Sequence, residues 1–131
     1  MDEMRQPEAL GKHVILELMD CERARLCDRE FLRTTLLAAC RAAGATIMGD
    51  SFHTFTPYDG VSGVIIIAES HLSIHTWPEY NYAAVDIFAC GNSLRPHKAV
   101  ELMVSELRAG EHSIVELDRG ILNSLVAHEA K

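Results

Sequence analysis

Two neighbouring segments of the sequence change between polar and apolar residues at every second position. Residues 71–77 place two histidines, a serine and a tryptophan on one face, and residues 82–90 set alanine, valine and isoleucine against tyrosine, aspartate and cysteine. A period of two is that of a β-strand whose two faces meet different surroundings. A more uniformly apolar strand over residues 62–69 precedes them. Because only short connections separate the three strands, antiparallel pairing is predicted.

The flanking segments predict two helices. Asp28 is suited to the N-cap of the first helix, whose apolar stripe ends at Gly44. Pro96 fits the first turn of the second helix, which ends at Gly110.

Further strands are expected over residues 12–20, within 45–55 and over 112–118, with residues 1–10 loose and the last residues forming a weak helix or tail. This order predicts an α+β two-layer sandwich, in which an antiparallel sheet carries helices on one face. No predicted helix covers the other face of the sheet, so its association with a second copy in a dimer is plausible.

Length and composition limit the classes of function. A chain of 131 residues predicts one domain, 1–131. The net charge of −7 argues against nucleic-acid binding, which needs lysine and arginine opposite phosphates. No apolar stretch is long enough to span a bilayer, and the N-terminus lacks the pattern of a secretory signal, so no membrane contact and a cytoplasmic location are predicted.

The four cysteines form no Cys-x-x-Cys pair and the seven histidines show no ligand spacing, so no metal site is predicted. In a cytoplasmic protein the cysteines are expected to be reduced.

The apolar run of residues 64–67 leads directly into Glu69, Ser70 and His71, where polar groups need partners. A serine hydrolase fits poorly, because the sequence has no Gly-x-Ser-x-Gly turn here. Another chemistry suits the junction: the Ser70 oxygen attacks the carbonyl carbon of Glu69 and converts the amide to an ester. Elimination of the Glu69 carboxylate leaves dehydroalanine, and hydrolysis gives a pyruvoyl group. His75 and Ser62 are candidates to hold the oxyanion and move protons.

The segment GVSGVIIIAESHLSIHTWPEYNYAAVDIFACG, residues 60–91, resembles the central segment of prokaryotic S-adenosylmethionine decarboxylases. The likeness extends to GKHVILELMDC and GATIMGDSFHTF before it and RPHKAVELMVSELRAG after it, and covers about residues 11–120. Members of this family are pyruvoyl enzymes that cleave themselves at a Glu-Ser bond. The resemblance therefore implies cleavage between Glu69 and Ser70, giving a β chain 1–69 and an α chain 70–131.

The resemblance also implies catalytic roles. Ser70 becomes the pyruvoyl group, which forms a Schiff base with the substrate amine and withdraws electrons as carbon dioxide leaves. Ser62 and His75 assist self-processing. Cys90 is the acid that returns a proton to the substrate carbon, and a thiol with a pKa of roughly 8.5 can do so near neutral pH.

For the substrate, the resemblance implies that Glu79 binds the ribose hydroxyls and that Phe55 and Trp77 lie near the adenine. The implied reaction makes decarboxylated S-adenosylmethionine for spermidine synthesis, in a homodimer of cleaved protomers.

Other interpretations stay open. Asp59, in a loop one residue longer than in many members, would suit a small cationic side chain, so a pyruvoyl-dependent ornithine or arginine decarboxylase is an alternative. A non-catalytic ligand-binding relative is a third. Considered alone, Cys90 would be a buried thiol and Trp77 a core or interface residue.

Overall fold

The structure is a computed structural model, and it describes residues 9–91 and 93–121. Its elements, in chain order, are β1 (Ala9–Met19), α1 (Arg23–Leu26), α2 (Arg29–Ala42), β2 (Thr46–Phe55), β3 (Gly60–Ala68), β4 (Ser70–Trp77), β5 (Tyr82–Cys90), α3 (Pro96–Glu106) and β6 (Glu111–Ile121). A 3₁₀ turn, Pro78–Tyr80, joins β4 to β5.

The six strands form one sheet in the order β2-β3-β4-β5-β1-β6, and every neighbouring pair is antiparallel. Both α2 and α3 pack on the same face of this sheet, α2 against β2 and β3 and α3 against β1. The predicted α+β two-layer sandwich is therefore confirmed.

The core lies between the sheet and the helices, on what we term the covered face. Alternate residues of four central strands are buried there, and they are Val14, Leu16 and Leu18 of β1, Ile65 and Ile67 of β3, Leu72 and Ile74 of β4, and Ala83, Val85 and Ile87 of β5. Leu32, Leu36 and Met103 of the two helices pack onto them. Burial of these side chains is the main force that holds the layers together.

The predicted ends of the first long helix are found. The Asp28 carboxylate accepts a hydrogen bond from the Phe31 amide at 3.0 Å, which makes Asp28 the N-cap of α2. Gly44 follows the last turn with φ of 85°, a left-handed conformation that favours glycine. The second predicted helix, α3, begins at Pro96 as expected, but it ends at Glu106 and not at Gly110, because the chain takes a left-handed conformation at Arg108.

Two differences from the sequence predictions concern strands β1 and β2. β1 begins at Ala9, because Ala9 pairs with Ile121 of β6, so residues 9 and 10 are not loose. β2 is one strand with a bulge between Ile47 and Gly49. The predictions for residues 1–8 and for the tail from residue 122 lie outside the described residues.

The second face of the sheet, the open face, carries no helix in the part of the chain that the structure describes. Apolar side chains are exposed on it, with Ile66 53%, Val115 52% and Leu117 45% accessible. Apolar surface of this kind marks contact sites in soluble proteins. No helix among residues 9–91 and 93–121 is long and apolar enough to cross a membrane.

Candidate active site

Ser62 and His75 lie directly opposite one another on β3 and β4. The Ser62 Oγ and His75 Nδ1 atoms are 2.8 Å apart, a hydrogen bond between side chains on the open face. The pairing follows from the antiparallel register, which aligns residues thirteen positions apart in the sequence. The predicted pair is therefore in contact.

A cleft of about 250 Å³ opens beside this pair. All three residues predicted to bind substrate line its wall, together with one that was not predicted, and they are Phe55, Trp77, Glu79 and Tyr58. The Trp77 ring stacks on Tyr82 with ring centroids 5.4 Å apart and an angle of 29° between planes. A flat aromatic wall beside a carboxylate is suited to an aromatic ligand that carries hydroxyl groups.

The loop after Phe55 contributes to this cleft through Tyr58 rather than through Asp59. Thr56 and Tyr58 line the cleft, and Asp59 is not among its described lining residues. Tyr58 was not singled out in the sequence, because a turn tyrosine carries no periodic signal. The extra carboxylate thus does not face the cleft.

Ser70 lies at the opposite end of β4, where the chain turns from β3 into β4. Its hydroxyl donates a hydrogen bond to the carbonyl oxygen of Glu69, the residue before it. The backbone N–H of Cys90, the last residue of β5, donates to the Ser70 Oγ at 3.0 Å. The serine oxygen is thus held between the peptide bond that precedes it and the residue that carries the half-buried Cys90 thiol.

These two groups of residues are separate within one chain. Ser70 and His75 are five residues apart on the extended strand β4. At about 3.3 Å per residue this corresponds to about 17 Å. The structure brings Ser70 together with Cys90, and His75 together with Ser62 and the cleft, but it does not bring the first group to the second.

Two polar pairs lie on the open face between or beside these groups. The His13 Nε2 and Asp86 Oδ1 atoms are 3.0 Å apart. Tyr82 donates to Glu17 at 2.5 Å, and burial together with this carboxylate raises the pKa of Tyr82 to about 12. The alternation of β5 already places Asp86 on the same face as Cys90. Its contact with His13 could not be predicted, because it depends on β1 lying beside β5.

The four cysteines are all free, and they differ in their surroundings. Cys21 and Cys40 are buried on the helix side, and burial raises the pKa of each thiol to about 11. Cys90 is half-buried beside Ser70. A buried thiol with a raised pKa is a structural residue, whereas a partly accessible one next to a polar group is available for chemistry.

Comparison with known proteins agrees with this geometry. A model of the S-adenosylmethionine decarboxylase family matches residues 12–120. The S-adenosylmethionine decarboxylase proenzyme of Prochlorococcus marinus (strain MIT 9313) is 52% identical over 110 residues, which cover 84% of this chain and 87% of that protein. The corresponding proenzyme of Thermodesulfovibrio yellowstonii is 46% identical over 115 residues, covering 88% and 84%.

A solved structure gives the same result for the fold. The crystal structure of the adenosylmethionine decarboxylase from Aquifex aeolicus VF5 superposes with a TM-score of 0.81 at 30% identity, and the match covers 92% of this chain and 99% of that one. The family model and the similar relatives each span most of the chain. The chain therefore belongs to the S-adenosylmethionine decarboxylase family.

Proposed function

We propose that this protein decarboxylates S-adenosylmethionine and so supplies decarboxylated S-adenosylmethionine for spermidine synthesis, using a pyruvoyl group made from its own Ser70. The observation that carries the proposal is the position of the Ser70 hydroxyl against the Glu69 carbonyl group, with Cys90 beside it. The names of the similar proteins, which are decarboxylase proenzymes, support the same reaction and a self-processing chain.

The surroundings of Ser70 fit the formation of such a group. Its oxygen already contacts the peptide unit it would attack, and the Cys90 N–H fixes its position. In the proposed cleavage a bond forms between the Ser70 Oγ and the Glu69 carbonyl carbon as the bond from that carbon to the Ser70 nitrogen breaks, which gives an ester. Loss of the Ser70 Cα proton and breakage of its Cβ–Oγ bond then release Glu69 as a carboxylate and leave dehydroalanine. Water replaces the nitrogen, which leaves as ammonia, and a pyruvoyl group remains. The products are residues 1–69 and residues 70–131.

When present, the pyruvoyl group supplies a carbonyl that condenses with the substrate amine and accepts electrons as carbon dioxide leaves. The role of this chain is to deliver a proton to the substrate carbon afterwards. We assign that step to the Cys90 thiol, because its backbone N–H is 3.0 Å from the Ser70 oxygen. A thiol is a competent general acid near neutral pH.

The cleft beside His75 provides the proposed binding site for the nucleoside part of the substrate. Trp77 and Phe55 offer aromatic surface, and cations such as a sulfonium are also favoured over aromatic faces. Glu79 lies in the same wall and has the carboxylate needed to accept hydrogen bonds from two ribose hydroxyls.

We further propose that the enzyme is a homodimer of cleaved protomers whose open faces pack together. The distance of about 17 Å along β4 separates His75 from Ser70 within one chain. If two copies pack with their β4 strands running in opposite directions, Ser62 and His75 of the partner subunit approach Ser70. The exposed apolar residues of the open face support this packing.

Mixing two inactive variants tests this arrangement. Ser70→Ala and His75→Ala chains are each expected to fail to mature normally. In a mixed dimer the His75→Ala chain keeps Ser70 and meets the partner's His75, so it should self-cleave, and intact-mass spectrometry should detect the 69-residue piece. If verified mixed dimers show no cleavage, Ser70 and His75 must act within the same chain, which would contradict a site shared between the two subunits.

A substrate assay tests the reaction itself. The cleaved protein is offered S-adenosylmethionine, ornithine and arginine separately, and release of carbon dioxide is followed. Release from S-adenosylmethionine alone is expected. Release only from the amino acids would favour the alternative decarboxylase, and an uncleaved, inactive chain would favour the non-catalytic relative.

The four free thiols are compatible with a reducing compartment, and we place the proposed enzyme in the cytoplasm.

A further inference from the structure

Arg119 of β6 reaches across the open face toward the end of the sheet that holds Ser70. Its guanidinium carbon lies 4.9 Å from the centre of the Phe88 ring, although Phe88 is on β5, two strands away. The Phe88 ring also contacts His71, the residue after Ser70, with ring centroids 6.0 Å apart. A positive charge is thus held over a ring that also contacts the residue after Ser70.

Gly11 lies between Arg119 and Cys90 in the sheet. Gly11 of β1 is paired with Cys90 on one side and with Arg119 on the other. A Cβ atom at Gly11 would lie 3.2 Å from the Cys90 Sγ and 3.0 Å from the Phe88 ring. The absence of a Cβ atom therefore lets the thiol and the ring approach the Gly11 backbone closely, and we call this place, where both meet the residue paired with Arg119, the Gly11 contact.

Other charges on this part of the face are held by neighbours. The Asp86 carboxylate is 3.0 Å from the His13 ring, and the Glu17 carboxylate accepts from Tyr82. Within residues 9–91 and 93–121, no carboxylate lies within ion-pair distance of the Arg119 guanidinium. The guanidinium over Phe88 is thus available to an anionic ligand, and arginine matches a carboxylate with two parallel hydrogen bonds.

The proposed reaction brings one carboxylate to this place. The substrate carbon that receives a proton from Cys90 is the carbon that has just lost its carboxylate, so that carboxylate enters the site close to the thiol. We propose that Arg119, reaching over Phe88 beside the Gly11 contact, binds the carboxylate that the substrate loses. This inference rests on the proposed function and names a substrate-binding residue for it.

The charge of the carboxylate determines which kinetic constant should respond. As the carbon–carbon bond breaks, negative charge leaves the carboxylate, so a cation beside it stabilises the bound substrate more than the transition state. Loss of such a contact raises KM and does not lower kcat. The product has no carboxylate, so its affinity should not depend on Arg119.

The test therefore compares substrate with product. Cleaved wild-type protein, Arg119→Met and Arg119→Lys are assayed for kcat, for KM with S-adenosylmethionine and for inhibition by decarboxylated S-adenosylmethionine. Methionine keeps an apolar chain over Phe88, and lysine keeps the charge without the paired donors. Arg41→Met is the matched control, because Arg41 is an exposed arginine at the end of α2 on the other side of the sheet.

We expect Arg119→Met to raise KM by about 10- to 100-fold, the range of a lost charged hydrogen bond, with kcat unchanged or higher and the product inhibition constant unchanged. The KM of Arg119→Lys should lie between those of the wild type and Arg119→Met, and the KM of Arg41→Met should equal that of the wild type. If an Arg119 variant cleaves poorly, the affinities for substrate and product are measured by calorimetry in the Ser70→Ala background, where turnover cannot occur. The Arg119 substitution is expected to weaken binding of the substrate by the same factor and to leave binding of the product unchanged.

Two results would overturn the inference. Equal weakening of substrate and product would mean that Arg119 shapes the site without recognising the carboxylate. Unchanged affinity for both would leave it as a surface residue stacked on Phe88. A failure of the proposed function is distinguishable from both, because then wild-type protein itself would release no carbon dioxide from S-adenosylmethionine, and the inference would fall with it.

Discussion

The two faces of the sheet are built from the same strands but carry different residues. On β4, Leu72 and Ile74 point to the covered face and are 1% and 0% exposed, while Ser73 and His75 between and after them point to the open face. On β5 the same alternation puts Val85 inside. Because successive residues of a strand face opposite sides, one short segment can supply both the core and the reactive groups.

The difference teaches that stability and chemistry are largely separated in this fold. Covered-face side chains remove apolar surface from water, which holds the helices to the sheet. Open-face side chains are linked by local hydrogen bonds such as those of His75 and Asp86, and we expect their removal to leave the core intact. Substitutions on the two faces should therefore affect different measurements.

The largest effect is expected at Cys90. Cys90→Ala should lower kcat by about 10²–10⁴-fold, the range for a general acid, while self-cleavage continues. Without Cys90, protons should also reach the pyruvoyl carbon and convert the new N-terminus to alanine. Mass spectrometry of the smaller piece would detect this alanine, and the variant should lose activity in fewer turnovers than the wild type. Cys40→Ala, on the covered side, is the control and should keep kcat. A Cys90→Ala enzyme with normal rate and lifetime would show that the thiol only packs.

A comparison of neighbouring residues on β4 should sharpen the contrast in stability. Ile74→Ala is expected to lower the free energy of unfolding by about 2–5 kcal/mol, because it removes a fully buried side chain. Ser73→Ala, one residue earlier on the open face, should change it by less than about 0.5 kcal/mol. Urea unfolding of both in the Ser70→Ala background keeps the chain in one piece. Similar losses for the two variants would contradict the separation of the faces.

The smallest effect concerns thiol reactivity without any substitution. Burial raises the pKa of Cys40 to about 11, so at pH 8 only about one molecule in a thousand carries the thiolate that reacts. Cys90 is half-buried at the edge of the open face, and it should be alkylated by iodoacetamide before Cys40. Peptide mapping over time measures the order, and raising the pH toward 11 should bring Cys40 into reaction. Faster labelling of Cys40 at pH 8 would show that the covered side opens readily.

Much of this arrangement was predictable from the sequence, because the alternation of polar and apolar residues shows which side of each strand is buried. The parity of residues 71–77 and 82–90 placed His75 and Cys90 on one side of their strands, and the N-cap at Asp28 and the stop at Gly44 bounded the long helix. Contacts that depend on strand order were not predictable. β1 lies between β5 and β6, so the meeting of His13 with Asp86, and of Arg119 with Phe88, joins residues far apart in the chain.

The division of the site along β4 follows from the strand that the sequence predicts over residues 71–77. The spacing of Ser70 and His75 is fixed, but a strand and a helix place five residues at very different distances. The extended conformation of β4 puts the two residues at opposite ends of the strand.

The strand order has a consequence for the lifetime of the mature protein. Residues 1–69 contain β1, β2 and β3, and residues 70–131 contain β4, β5 and β6, yet β1 is inserted between β5 and β6. After the proposed cut, neither piece holds a continuous sheet, so each needs the other to fold. Folding of the intact chain is unimolecular, whereas reassembly of the cut chain would require two pieces to meet. A cleaved molecule that unfolds at low concentration would therefore not regain its structure. Maturation would thus make unfolding irreversible under these conditions.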